Sequence, residues 1–132
     1  MKAKKILITY LGNGNIKSQV SKEYLFNRVV SDLIEEGKIV ADTMVTQREK
    51  RIRFADGSSV ICTPFTMANK GMKVTHVFID RELSELINGN EIIQENILPS
   101  VINWETENFD ISDKDRRFIF SLEDGVLNLD TI

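Results

Sequence analysis

The sequence predicts a single α/β domain over residues 1–132, with a mixed sheet, β-hairpins and flanking helices. Three observations lead to this fold class. Short apolar runs rich in β-branched residues are combined with one long segment of helical periodicity. Two Asp-Gly pairs stand between apolar runs, the pattern typical of β-hairpins. No repeat, low-complexity segment or linker-like stretch divides the chain.

Composition excludes several classes of protein. The chain is 42% hydrophobic with only seven Gly and two Pro, which is too apolar for a disordered tail. A single cysteine cannot form an internal disulfide, so a secreted disulfide scaffold is excluded. No apolar run approaches the roughly 20 residues that span a bilayer, and the run behind the basic start is too short for a secretory signal. We therefore expect a cytoplasmic protein with no membrane partner.

The net charge of −3 combines a basic first part of the chain with an acidic remainder. Residues 1–53 hold eleven Lys/Arg and six Asp/Glu, giving +5, whereas residues 54–132 hold six and fourteen, giving −8. This asymmetry favours contact between the first part and an anionic ligand. The alternative is a solvated surface on which the two signs happen to segregate.

The first 37 residues predict a strand, a turn and a helix. Residues 4–10 form a short apolar run that ends at the glycine-containing turn 11–15. Ser18 or Ser21 can cap the following helix, and Gly37 suits the left-handed position just past its end. The helix carries an apolar stripe at positions i, i+3, i+4 and i+7, namely Phe26, Val29, Val30 and Leu33, widened by Tyr24, Leu25 and Ile34.

The rest of the chain predicts further strands and short helices. Asn90 is expected to cap a helix in which Ile93, Ile97 and Val101 repeat every four residues, and Pro99 should kink or restart it. The other predicted elements are a strand at 38–45, a hairpin at 51–63 around Asp56-Gly57, a strand at 73–80, a short helix at 81–88 and a hairpin at 117–129 around Asp124-Gly125.

The turn after the first strand has the composition of a phosphate-binding loop. Glycines let the backbone approach an anion, and a helix N-terminus offers free N–H groups and a positive dipole end. Gly12 and Gly14 lie in the turn, and Lys17-Ser18 stand where such a loop places its lysine and metal-binding hydroxyl. These four residues are the candidate nucleotide-binding set. The alternative is a simple turn between a strand and a helix.

The segment 11–18 resembles a Walker A loop of the phage terminase large subunit and helicase-like ATPases, whose loops often run Gly-Gly-x-Gly-x-Gly-Lys-Ser. The resemblance extends over residues 4–82. Asp56-Gly57-Ser58 is similar to the turn of the family's hairpin before Walker B, and Lys70-Gly71 to its basic-Gly step. The resemblance implies a P-loop NTPase-like fold, ATP and Mg²⁺ as cofactors, and a host-cell cytoplasmic location for a phage-encoded protein.

Residues 77–80 resemble the Walker B strand, which implies that Asp80 holds Mg²⁺. The alternative is that Asp80 caps the short helix that follows it. Ile16 and Arg81 stand where the family has Gly and Glu, and Glu82 follows one position later. We therefore expect a degenerate site with weak or no hydrolysis, and the sequence assigns no catalytic residue.

The densest basic run comprises Arg48, Lys50, Arg51 and Arg53. Alternation along a strand places Arg51 and Arg53 opposite Ile52 and Phe54. Outward arginines on a β-ribbon can contact the phosphates of nucleic acid, and DNA is the partner considered. The alternative is a charged sheet edge that prevents aggregation.

A second class of function is a non-enzymatic accessory factor or inhibitor. Its acidic second part, with Trp104 and Phe109, would bind a protein partner. Cys62 is expected to be a buried, inert thiol, and no metal-ligand spacing occurs in the sequence.

Overall fold

The computed structural model describes residues 3–12, 16–46, 48–65, 73–101 and 116–132. Seven strands and one long helix dominate this part of the chain, together with several short helical turns. The strands are β1 (Lys5–Tyr10), β2 (Val40–Val45), β3 (Lys50–Phe54), β4 (Ser59–Pro64), β5 (His76–Asp80), β6 (Arg117–Glu123) and β7 (Val126–Thr131). The helices are α1 (Ile16–Glu35), α2 (Arg81–Ser84) and α3 (Gly89–Glu91), followed by a π-helical segment (Ile92–Ile97) and a 3₁₀ turn (Leu98–Ser100).

The strands form one mixed sheet in the order β2-β3-β4-β1-β5-β6-β7. The four central strands, β4, β1, β5 and β6, are parallel. Antiparallel pairs β2-β3 and β3-β4 extend the sheet on one side, and β7 pairs antiparallel with β6 on the other. The predicted α/β class with a mixed sheet and flanking helices is therefore confirmed.

Strand β1 lies at the centre of the sheet and is buried on both faces. Ile6, Ile8 and Tyr10 point into a core with Leu25, Phe26 and Leu33 of α1. Leu7 points the other way, into a second core with Leu83 of α2 and with Ile93 and Ile97 of the π-helical segment. Burial on both faces explains why residues 5–10 form an unbroken apolar run, because a strand in a parallel sheet meets helices on each side.

Helix α1 follows the predicted apolar stripe but begins earlier than its predicted caps. It starts at Ile16, so Ser18 and Ser21 lie inside it. The Ser21 hydroxyl donates to the carbonyl of Lys17 at 2.6 Å, the backbone bond that Ser makes within a helix. Gly37 lies just past the end with φ +98°, as expected for a left-handed C-terminal position.

The segment after β5 differs from the two predicted helices. Helix α2 stops after Ser84, and α3 begins at Gly89, with Asn88 rather than Asn90 at its N-cap. The helix then widens into the π-helical segment and tightens into the 3₁₀ turn that contains Pro99. Pro99 lacks a backbone N–H and cannot continue an α-helix, so the chain turns there. Ile93 and Ile97 are still buried, as their spacing predicted.

Both predicted hairpins are present. Asp56-Gly57 joins β3 to β4, and Gly57 has φ +90°. Asp124-Gly125 joins β6 to β7, with φ values of +51° and +75°. Two consecutive positive φ values match the type I′ turns that Asp-Gly favours. Among the described helices, none combines the length and apolarity needed to cross a bilayer.

The Asp56 turn provides a pH-dependent contribution to stability. Lys38 Nζ lies 2.5 Å from Asp56 Oδ2, and the Ser58 backbone N–H donates to Oδ1 at 2.9 Å. These contacts lower the Asp56 pKa from 3.8 to about 2. Because the folded-state pKa is the lower one, the stabilisation is complete above pH 4 and is lost as the pH falls towards 2.

We expect an NMR titration of the Asp56 carboxyl to give a midpoint near pH 2 in the wild type. In Lys38→Ala the midpoint should rise towards 3.8, because the largest cause of the lowered pKa is removed. Lys4→Ala, which removes a lysine paired with Glu36, is the matched control and should leave the midpoint in place. An ordinary Asp56 midpoint in the wild type would contradict this account.

Candidate functional site

A cleft of about 90 Å³ lies at the carboxyl edge of the parallel strands. It brings together Lys17 of α1 and Asp80 at the end of β5, which two separate sequence motifs had singled out. The complete lining is Lys17, Ser21, Asp80, Arg81, Glu82, Glu85, Ser121 and Glu123. A water needs about 10–15 Å³ of such space, so the cleft can hold several waters or a small ligand group.

The cleft stands where two neighbouring strands send their helices to opposite faces of the sheet. Strand β1 pairs with β5, and α1 after β1 packs on one face. Helix α2 after β5 packs on the other face, through Leu83. Such a switch point opens a crevice at the carboxyl ends of the strands, where ligands bind in open α/β sheets. The topology therefore favours this edge as a ligand site.

Asp80 occupies the N-cap of α2. It is buried, and its Oδ1 accepts the Glu82 backbone N–H at 3.3 Å. The structure thus gives Asp80 the capping role that the sequence offered as an alternative.

Arg81 forms one wall of the cleft. Its guanidinium pairs with Asp130 of β7, and its Nε donates to Ser121 Oγ at 3.4 Å. Glu82, one residue later, also lines the cleft, because α2 begins directly after Asp80 and its first turn lies at the edge of the sheet. A positive side chain therefore stands at the position where the resemblance implied a glutamate, and the glutamate is placed beside it.

The charge balance of the lining favours a cation together with an anion. Four carboxylates face two basic side chains across the cleft. A bare phosphate would be repelled by this set. The described residues contain no group of three or more His, Cys, Asp or Glu side chains placed to hold a metal ion by themselves. Mg²⁺ binds through one or two carboxylates when phosphate oxygens and waters complete its octahedron, and the lining fits that mode.

Gly12 and Arg48 lie together near this edge. A Cβ added at Gly12 would stand 3.1 Å from Pro64 Cβ and 3.2 Å from Arg48 Nη2. The Tyr10 hydroxyl donates to the Arg48 carbonyl at 2.6 Å and so fixes the loop before β3 against the end of β1. Arg48 was predicted as part of a basic run and not as a neighbour of the glycine turn. The contact between Gly12 and Arg48 is produced by the fold, because the two residues are far apart in the chain.

One of the four predicted nucleotide-binding residues, Gly14, lies outside the described residues, as do Lys70-Gly71 of the resemblance and the Trp104 and Phe109 region. Ser18 lies in the first turn of α1, one residue after Lys17. Lys17 is exposed at the start of the same helix.

The four residues of the basic run do not share one surface. Lys50 points towards α1, where its ammonium pairs with Glu23 and lies 5.6 Å from the centre of the Phe26 ring. Arg51 and Arg53 line a different cavity, on the face opposite Ile52 and Phe54, as alternation predicted. Arg48 lies beside Gly12.

Cys62 is buried in the core beneath α1. Burial raises the pKa of its thiol to about 12, because the charged thiolate would lose its hydration there. The thiol therefore stays protonated at neutral pH and is unsuited to act as a nucleophile.

Comparison of the chain with protein-family models, with curated proteins and with solved structures finds no match. The functional assignment therefore rests on the chemistry and position of the residues around the cleft.

The close packing of α2 against the start of α3 requires a glycine at position 89. A Cβ at this position would lie 2.4 Å from the Ser84 carbonyl oxygen and 2.8 Å from that of Leu83. We expect Gly89→Ala to lower the free energy of unfolding by about 2–3 kcal/mol, because backbone atoms must move to admit the methyl group. Chemical denaturation measures the loss. Asn90→Ala, at the exposed neighbouring position, should change stability by no more than about 0.5 kcal/mol. Equal stabilities for the two variants would show that α2 and α3 are not closely packed.

Proposed function

We propose that the chain binds the magnesium complex of a nucleoside triphosphate at the carboxyl-edge cleft, with weak or no hydrolysis. The observation that carries this proposal is the meeting of Lys17 and Asp80 in one cleft. The two residues are far apart in the chain and were selected for phosphate and Mg²⁺ respectively. Their shared position at the switch point of a parallel sheet supports a common ligand.

Each residue has a distinct task in this proposal. Lys17 contacts the terminal phosphate, and the free N–H groups at the start of α1 add a positive dipole end. Asp80 holds Mg²⁺ through water while continuing to cap α2. Mg²⁺, when bound, neutralises phosphate charge that the surrounding carboxylates would otherwise repel. At about 90 Å³ the cleft is well below the roughly 300 Å³ of pockets that enclose a whole small molecule, so the sugar and base lie outside it.

Weak hydrolysis follows from the residues around the Walker-like positions. Ile16 precedes Lys17, where a β-branched side chain resists the tight wrapping that glycine allows. Arg81 is held by Asp130 and Ser121, and it cannot orient an attacking water as a carboxylate does. Ile16→Gly should accordingly strengthen nucleotide binding, since it restores the glycine of the resembled loop.

Isothermal titration calorimetry and thermal shift test the proposal with three ligands: ATP, Mg²⁺ and MgATP. Only MgATP should bind, because the carboxylates of the cleft repel a bare phosphate, and no three of the described carboxylates are placed together to hold a bare ion. A ligand at 100 times its Kd adds about 2.7 kcal/mol to the free energy of unfolding, which a melting curve resolves.

Two substitutions make the test specific. Lys17→Ala should weaken MgATP binding about tenfold or more, because it removes a charge-assisted hydrogen bond. Asp80→Asn keeps a side chain that caps a helix well, but ATP binding by this variant should no longer depend on Mg²⁺. Arg28→Ala removes an exposed cation elsewhere on α1 and is the control. If millimolar MgATP leaves the wild type and Lys17→Ala equally unshifted, the proposal is wrong.

The accessory-factor alternative is supported by the β6-β7 hairpin. Val126 is 61% exposed, pairs across the hairpin with Glu123 and lies beside the exposed Asp124. An exposed apolar side chain next to carboxylates suits a basic, partly apolar protein surface. Val126→Ser should weaken binding to such a partner in a pull-down and leave the MgATP shift unchanged. A partner that binds this variant as well as the wild type would contradict the alternative.

A further inference from the structure

A second cavity, of about 300 Å³, lies at the opposite ends of the parallel strands from the carboxyl-edge cleft. Lys5 is the first residue of β1 and Ser59 the first of β4, so the cavity stands at their amino ends. It contains three basic residues and no acidic one. The complete lining is Lys5, Arg51, Arg53, Phe54, Gly57, Ser58, Ser59 and Ile61.

The strand register places the three cations around Ser59 and Ile61. Lys5 pairs with Ser59 across β1 and β4, and Arg53 pairs with Ser59 from the other side. Strands lie about 4.8 Å apart, so the Lys5 and Arg53 backbones flank this serine at roughly 10 Å from each other. Arg51 is two residues from Arg53 along β3, about 6.6 Å away on the same face.

Two of the three cations form no ion pair among the described residues. Lys5 and Arg53 are these two, whereas Arg51 pairs with Glu49. Lys4, Lys38 and Lys50, outside the cavity, also pair with carboxylates. The neighbouring turn carboxylate, Asp56, is already paired with Lys38.

The Arg51 guanidinium has one donor with a hydrogen-bond partner and one donor without, within the described part of the chain. Its Nη2 donates to Glu49 Oε1 at 3.1 Å. Its Nε is buried and has no acceptor among the described residues. A buried donor without an acceptor is unfavourable, and this donor belongs to a side chain that lines the cavity.

We propose that this cavity binds the sugar-phosphate backbone of a single nucleic-acid strand. The Arg51–Arg53 spacing is of the same order as the separation of consecutive phosphates on an extended strand, and Lys5 reaches the strand from the other side of Ser59. The concave face suits a flexible strand better than the convex surface of a duplex. The Phe54 ring is buried in the core, so no ring in the lining is available to stack on a base. Binding is therefore independent of base sequence.

This site is separate from the proposed nucleotide site. The lining residues of the two cavities do not overlap, and they lie at opposite ends of β1 and its parallel neighbours. Either proposal can fail without the other.

The test is fluorescence anisotropy with a labelled oligothymidine strand over about 50 to 200 mM salt. Three phosphate contacts on a single strand give a slope of log K against log salt concentration of about −2, since each contributes about 0.7. Lys5→Ala, Arg51→Ala and Arg53→Ala should each reduce the slope by about 0.7 and weaken binding about tenfold at low salt. The triple variant should not bind.

Matched controls distinguish strand binding at this cavity from a general effect of the protein's positive charge. Arg28→Ala removes one positive charge from α1, and Lys17→Ala removes one from the nucleotide site; both should bind the strand as the wild type does. Melting temperatures show whether each variant folds. If the triple variant does not fold, the three single variants still test the proposal.

Three results would overturn the proposal. The first is a triple variant that folds and binds with the wild-type slope. The second is equal or tighter binding of a duplex of the same length. The third is complete displacement of the strand by millimolar inorganic phosphate, which would show a simple anion site.

Discussion

The structure depends on the burial of β1 on both faces at the centre of a parallel sheet. A strand in that position must pair on both edges and meet an apolar layer above and below. Its even-numbered residues, Ile6, Ile8 and Tyr10, require a helix on one face, and Leu7 requires one on the other. Helix α1 satisfies the first requirement, and α2 with the π-helical segment satisfies the second. The carboxyl-edge cleft results from this arrangement, because the two helices leave the same edge in different directions.

The electrostatics of the cleft follow from how α2 is placed. Asp80 ends β5 and at the same time caps α2, so the chain turns into the helix without any loop. The first residues of α2 are therefore held at the edge of the sheet, and they include Glu82. Because the neighbouring wall contributes Glu123, carboxylates outnumber the cations Lys17 and Arg81. A lysine in such surroundings attracts a phosphate effectively only when a divalent ion offsets the carboxylates. The excess of carboxylates therefore makes phosphate binding in the cleft depend on binding of the divalent ion.

Locally encoded features could be predicted from the sequence, and features set by distant contacts could not. The Asp-Gly hairpins depend on the backbone freedom of two residues, and the α1 stripe depends on spacing within one segment. The start of α1 was misplaced, because Ser21 bonds to the Lys17 carbonyl within the helix instead of capping it. The predicted bounds of the two helices after β5 are wrong, because the close approach of α2 and α3 at Gly89 divides this segment into short pieces. The turn at Pro99 agrees with the prediction.

The candidate site shows the same division. Lys17 and Asp80 were identified as separate motifs, but their shared cleft requires the pairing of β1 with β5, which strand sequences do not specify. The sequence groups Arg48, Lys50, Arg51 and Arg53 as one candidate nucleic-acid-binding set because they are close together in the chain. Alternation separates Lys50 from Arg51 and Arg53, and the ion pair with Glu23 on α1 then holds Lys50 on the opposite face. The partner of Lys50 could be found only from the fold.

The excess positive charge of residues 1–53 therefore does not form a single basic surface. Lys4, Lys38, Lys50 and Arg51 pair with carboxylates. Lys17 and Arg48 lie towards the carboxyl edge, whereas Lys5, Arg51 and Arg53 line the cavity at the amino ends. Strand β1 has six residues and spans about 20 Å. This is about twice the Debye length at 0.1 M salt, so each group of cations acts on its own ligand with little influence from the other. A magnesium-bound phosphate at one end and a phosphodiester strand at the other are thus electrostatically compatible on a sheet this small.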